Sequence, residues 1–128
     1  MSSFLLDTHT FIWLSEDDVS LPATLKSMIE EADNVYLSIV SLWEIAIKLN
    51  IGKLSLQKSY ETIGTEIEFS DIILLPISFI DTVEVSKLPL HHRDPFDRML
   101  VAQAINHSLI IVSQDAQLDA YSIQRLWT

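Results

Sequence analysis

A chain of 128 residues, 48% of them apolar and only six of them glycine or proline, is long enough for one domain over 1–128 whose core needs no covalent staples. It contains no cysteine, which excludes a disulfide framework, a thiolate metal site and a thiol nucleophile. A formal charge of −10 argues against a simple basic surface for nucleic acid.

The opening MSSFLLDTHTFIWL lacks a basic start, and Asp7 and His9 break its short apolar run, so it is not expected to be a signal peptide. No segment reaches the length of a membrane span, and a soluble cytoplasmic protein is expected. FLLD (4–7) reads as a buried strand and THTFIWLS as a short helix. LPATLKSMIEEA (21–32) carries Leu25, Met28, Ile29 and Ala32 at helical spacing. VYLSIV (35–40) is β-branched and aromatic, hence a strand, and SLWEIAIKLNIG follows as a helix with Ser41 as cap and Gly52 near its stop. Residues 59–69 are weakly helical, IILLPIS (72–78) is a strand, and FIDTVEVSKL is a helix ending before Pro89. DPFDRMLVAQAINHS (94–108) is a helix, LIIVS (109–113) a buried strand, DAQLDAY a helical turn and IQRLW (123–127) a closing strand.

Strands alternating with helices, several of them continuous apolar runs, predict an α/β fold with a mainly parallel sheet covered on both faces. Ligands bind such sheets beyond the carboxyl ends of the strands. Four acids fall near those ends: Asp7 closes FLLD, Glu44 lies one turn after VYLSIV, Asp97 opens the helix before LIIVS, and Asp115 follows LIIVS. Each has a structural explanation. Ser41 and Glu44 match a capping box, and Asp7 and Asp115 suit helix N-caps. Together they converge on one edge, and gathered carboxylates repel unless a cation joins them. Mg²⁺ or Mn²⁺ takes such hard oxygen ligands and supports phosphodiester hydrolysis.

The segment HRDPFDRMLVAQA separates two of the acids by role. Asp94 is a natural N-cap with Pro95 at the first helical position. Asp97 heads a small, apolar stripe of Val101, Ala104 and Ser108, so Asp94 is assigned to capping and Asp97 to the metal. Acids cluster at Glu16 to Asp18, at Glu30 to Asp33 and between Glu61 and Asp71. Lys87, His91, His92, Arg93 and Arg98 crowd around this segment instead, which softens the objection from net charge.

LLDTHTFIWL, SIVSLWEIAIKLNIGKL, LPLHHRDPFDRMLVAQA and LIIVSQDAQLDAY, in that order, resemble the motif blocks of PIN-domain proteins, and more closely of VapC-type ribonuclease toxins. The resemblance runs along almost the whole chain. It implies an α/β/α sandwich that holds Mg²⁺ or Mn²⁺ through Asp7, Glu44, Asp97 and Asp115 and cleaves RNA. It also implies a homodimer silenced by a cognate antitoxin. Ser113 stands where the family often has threonine.

Thr8 and Ser113 flank the metal candidates, and their hydroxyls are suited to hold a water or a ligand acid. Arg98, beside Asp97, is the better of two candidates for a phosphate contact, Arg93 being the other. His91 and His92 read as loop residues near RNA, His9 as structural, Asp119 as a surface acid and Lys48 as helix C-terminal charge. The apolar content of 4–14 and 36–51 predicts a homodimer or a complex with antitoxin. Two other functions fit less well: a small-molecule phosphohydrolase with Asp7 as nucleophile, and a PIN-like binding module whose acids are only caps.

Overall fold

Leu5, Leu6, Leu37, Ile111 and Val112 expose no surface at all, because they lie in strands with both faces covered. The structure, a computed structural model, describes residues 2–128. Five strands, β1 (Ser3–Leu6), β2 (Asn34–Ser38), β3 (Ile72–Leu75), β4 (Ile110–Val112) and β5 (Gln124–Leu126), form one sheet in the order β3-β2-β1-β4-β5. Every adjacent pair is parallel, and Leu5 sits in register with Tyr36 on one side and Ile111 on the other. Six helices connect the strands: α1 (Thr8–Glu16), α2 (Ala23–Glu31), α3 (Ile39–Asn50), α4 (Tyr60–Glu68), α5 (Phe79–Lys87) and α6 (Pro95–His107). A 3₁₀ turn over Ala116–Ala120 precedes β5.

Side-chain alternation along the strands divides the interior into two cores. Phe4, Leu6, Leu37 and Val112 face α1, α2 and α4, meeting Phe11, Leu25, Ile29 and Ile63. Leu5, Leu75 and Ile111 face the other way, onto Leu100, Val101 and Ala104 of α6. Each of these large side chains contributes about 1.5–3 kcal/mol by leaving water. The result is the expected α/β/α sandwich around a parallel sheet. No helix among the described residues is long and apolar enough to cross a membrane.

Two expectations need correction. β2 ends at Ser38, and Ser38, not Ser41, caps α3 by accepting from the Val40 backbone N–H. Ile39 and Val40 favour strands by branching, but pairing with β3 stops at Ser38–Leu75, and packing carries the next residues into the helix. Residues 4–14 do not form an exposed apolar surface: Phe4, Leu5, Leu6, Phe11 and Ile12 are core, whereas Ile39, Trp43 and Ile51 of the second segment are exposed.

The strand order also locates a crevice. From β1 the chain runs to β2 and β3 on one side, then returns to β4 and β5 on the other. The direction switches between β1 and β4, and open parallel sheets bind ligands beyond the carboxyl ends of such a pair.

Candidate functional site

Asp7 leaves the carboxyl end of β1 at that switch point. Its Oδ1 accepts from the Thr10 backbone N–H at 2.9 Å and caps α1. Buried Thr8 donates its hydroxyl to Oε1 of Glu44 at 2.6 Å and lies 3.1 Å from the Ser41 hydroxyl. Oε2 of Glu44 accepts from Lys48 Nζ at 2.6 Å, one helical turn on. A carboxylate only 5% exposed needs such partners, so Lys48, in the last turn of α3, also serves Glu44. Thr8 thus joins the first acid's strand end to the second acid's helix.

Asp94 caps α6 as expected: its Oδ1 accepts from the N–H groups of Phe96 at 2.8 Å and Asp97 at 3.2 Å, with Pro95 at the first helical position. Asp97 heads the stripe of Val101 and Ala104, which are 0% and 2% exposed. Burial pushes its carboxyl up to about 7, and the negative charges of Asp94, Glu44 and Asp7 push in the same direction. Asp81 is a useful contrast. It is fully buried, yet it accepts from Ser78 N at 3.0 Å and Asn106 Nδ2 at 2.9 Å, so it is a satisfied structural acid joining α5 to α6. The Asp97 carboxylate accepts no hydrogen bond among the described residues.

Ser113, fully buried at the end of β4, accepts from the Asp115 backbone N–H at 3.0 Å and thereby sets the direction of the fourth acid. Asp115 caps the 3₁₀ turn with Oδ1, which accepts from Gln117 N at 3.0 Å, and turns Oδ2 to within 3.5 Å of Nε2 of His92. One ligand atom each from His92, Asp97 and Asp115 lie within 4.8 Å of one another. Asp7 and Asp115 share the lining of an open cleft of 540 Å³ with His9 and Trp13. The structure therefore brings Asp7, Glu44, Asp97 and Asp115 to one edge. Capping and clustering prove compatible, because Asp7 and Asp115 each use only Oδ1 as a cap.

Of the remaining candidates, Asp119 follows its sequence reading and Arg98 and His9 do not. The Arg98 guanidinium is engaged within the protein. It donates to the carbonyls of Val85, Leu88, Pro89 and His92 at 3.0–3.4 Å and ties the α5–α6 loop to the first turn of α6. Arg93 is exposed. Asp119 forms a two-point pair with Arg125, at 2.9 and 3.0 Å, and is a surface acid. His9 is exposed and faces the cleft rather than a core. His92, read from sequence as a loop residue near RNA, instead comes within reach of Asp97 and Asp115. Its only signal was that it lies two positions before the cap of α6.

The PIN domain profile matches residues 4–124. Ribonuclease VapC22 of Mycobacterium tuberculosis is 29% identical over 133 aligned positions, covering 94% of this chain and 93% of that protein. Among solved structures, VapBC2 from Rickettsia felis bound to a promoter DNA fragment aligns with a TM-score of 0.70 at 14% identity, covering 96% of both chains. A toxin–antitoxin complex from Klebsiella pneumoniae aligns at 0.64 and 16% identity, covering 98% of this chain and 97% of that one. The chain therefore belongs to the PIN domain family, and its similarity to a VapC extends over nearly its whole length.

Proposed function

We propose that this protein is a metal-dependent endoribonuclease, the toxin of a toxin–antitoxin pair, in which Asp7, Glu44, Asp97 and Asp115 hold Mg²⁺ or Mn²⁺. The observation that carries the reading is the gathering of four carboxylates from four separate elements at one sheet edge. Lys48 offsets them by direct contact with Glu44, and His92 approaches Asp115 at 3.5 Å. The donor set fits a hard divalent cation: Asp97 has no donor among the described residues, and the charges of Asp94, Glu44 and Asp7 oppose its ionisation until a cation offsets them. A bound cation supplies Lewis acidity to a phosphoryl oxygen and to the attacking water.

The chain's own residues do the positioning. Thr8 and Lys48 fix both oxygens of Glu44, and Ser113 aims Asp115. The N-terminus of α1 opens at the cleft beside Asp7, where unpaired N–H groups favour an anionic backbone such as RNA. The ribonuclease name of the M. tuberculosis relative supports RNA as the substrate, and the toxin–antitoxin structures support an antitoxin partner. Expression of the chain in growing bacteria should degrade RNA and arrest growth. Asp7→Asn should relieve the arrest, and so should co-expression of a neighbouring antitoxin frame. Arrest that persists undiminished with Asp7→Asn would contradict the reading.

Assembly follows from an apolar surface at the other edge of the sheet. Ile73, Leu74, Ile77, Phe79 and Ile80 are exposed along β3 and the start of α5, with Phe79 81% and Ile80 61% accessible. Monomeric proteins rarely leave a hydrophobic edge strand uncovered. The isolated chain should run as a homodimer. Light scattering that returns a single monomeric mass at micromolar concentration would contradict this.

A further inference from the structure

His92 has no place in the acidic quartet, yet it is the most constrained residue of its loop. Its side chain is only 8% exposed, and neither ring nitrogen has a hydrogen-bond partner among the described residues. Burying an imidazole with both nitrogens unpaired costs free energy, so such a group calls for an explanation. Packing explains the ring's orientation but not its nitrogens. The ring stacks on buried Tyr121 at a centroid distance of 5.5 Å, and the His92 backbone N–H donates to the Tyr121 hydroxyl at 2.9 Å. From the other side the His92 carbonyl accepts from Arg98. Held at these points, the ring presents Nε2 3.5 Å from Oδ2 of Asp115, too far for a good hydrogen bond. Two ligands of one ion at about 2.1 Å lie about 3–4 Å apart, so the spacing suits neighbouring ligands.

We propose that His92 donates an imidazole nitrogen to the same cation site as Asp97 and Asp115, giving this chain a mixed nitrogen and oxygen donor set. The proposal rests on the reading that the acids hold a divalent cation. Its consequence is selectivity. Carboxylates and water suit Mg²⁺, whereas imidazole suits the transition metals, so His92 should raise affinity for Mn²⁺ more than for Mg²⁺.

The test uses Mn²⁺ on the full chain, with bound metal counted by electron paramagnetic resonance and ligand nitrogen read from pulsed-field modulation. Wild type should bind Mn²⁺ with a directly coordinated ¹⁴N signal. His92→Phe, which keeps an aromatic ring for Tyr121, should lose that signal. It should also bind Mn²⁺ at least about tenfold more weakly, since even outer-sphere partners of a metal cost 10- to 100-fold when removed. Mg²⁺ affinity, measured by competition, should fall by less than the Mn²⁺ affinity. His91→Gln and His9→Gln should keep the signal. Mn²⁺ bound by wild type without nitrogen coupling overturns this proposal and leaves the acidic site standing. A coupling that vanishes in His9→Gln instead also overturns it. No Mn²⁺ bound by wild type overturns both readings. The nitrogen signal is read on wild type, so a misfolded variant cannot obscure the result.

Discussion

Asp97→Asn should remove RNA cleavage, by about 100-fold or more, while making the metal-free protein more stable at neutral pH. Asparagine keeps the shape of the side chain but withdraws an anionic oxygen from the cluster, and disturbing a metal's surroundings alone costs 10- to 100-fold. The stability gain has the opposite sign because the folded protein holds the Asp97 proton too tightly. Its carboxyl sits at about 7, through burial and then the charges of Asp94, Glu44 and Asp7, against about 3.9 when unfolded. A raised acid contributes stability that is fully present below the unfolded value and is lost as pH rises through about 7. Metal-free wild type should therefore melt higher at pH 5 than at pH 8, and the difference should shrink in Asp97→Asn. Equal pH dependence in the two proteins would contradict the placement of Asp97. Asp94 provides the control. Asp94→Asn retains a competent cap and should leave cleavage and melting nearly unchanged, whereas Asp94→Ala should cost about 1 kcal/mol.

Arg98→Met should be the most destabilising single change near the site. It leaves the carbonyls of Val85, Leu88, Pro89 and His92 without their shared donor. Hydrogen bonds to charged groups contribute about 1.5–3 kcal/mol each and do not add, so a total loss of about 2–4 kcal/mol is expected. That corresponds to a melting temperature lower by about 10 °C. Arg98→Lys should recover only a small part, because one ammonium cannot span four carbonyls as a planar fork does. The loop carrying His92 should become labile, and hydrogen exchange over 88–93 should accelerate in both variants. If Arg98→Met melts like wild type but loses RNA binding, Arg98 is a phosphate contact after all.

The sheet was legible because its strands are buried on both faces and read as unbroken apolar runs between turn residues. FLLD and LIIVS fall within a residue or two of β1 and β4. The β2–α3 boundary was not legible, because Ile39 and Val40 favour a strand locally and only the length of β3 ends the pairing. The convergence of the four acids was legible because parallel topology brings strand ends to one edge. What each hydroxyl and cation does there was not. Lys48 meets Glu44 at helical spacing, a contact readable in principle, but Thr8 reaches Glu44 across 36 residues. His92 and Arg98 depend on where a loop folds back. The ring of His92 is set by Tyr121, 29 residues on, and the guanidinium of Arg98 by carbonyls that precede it. Nothing local distinguishes such residues from solvated loop and helix charges.

The central claim is that four carboxylates at one sheet edge form a single cation-dependent centre that cuts RNA. The most direct measurement is cleavage of RNA by protein shown to be metal-free by elemental analysis, before and after addition of Mn²⁺ or Mg²⁺. The account predicts no cleavage without metal, full recovery on adding it, and renewed loss with EDTA. Metal-free protein that cleaves RNA at the full rate would contradict it.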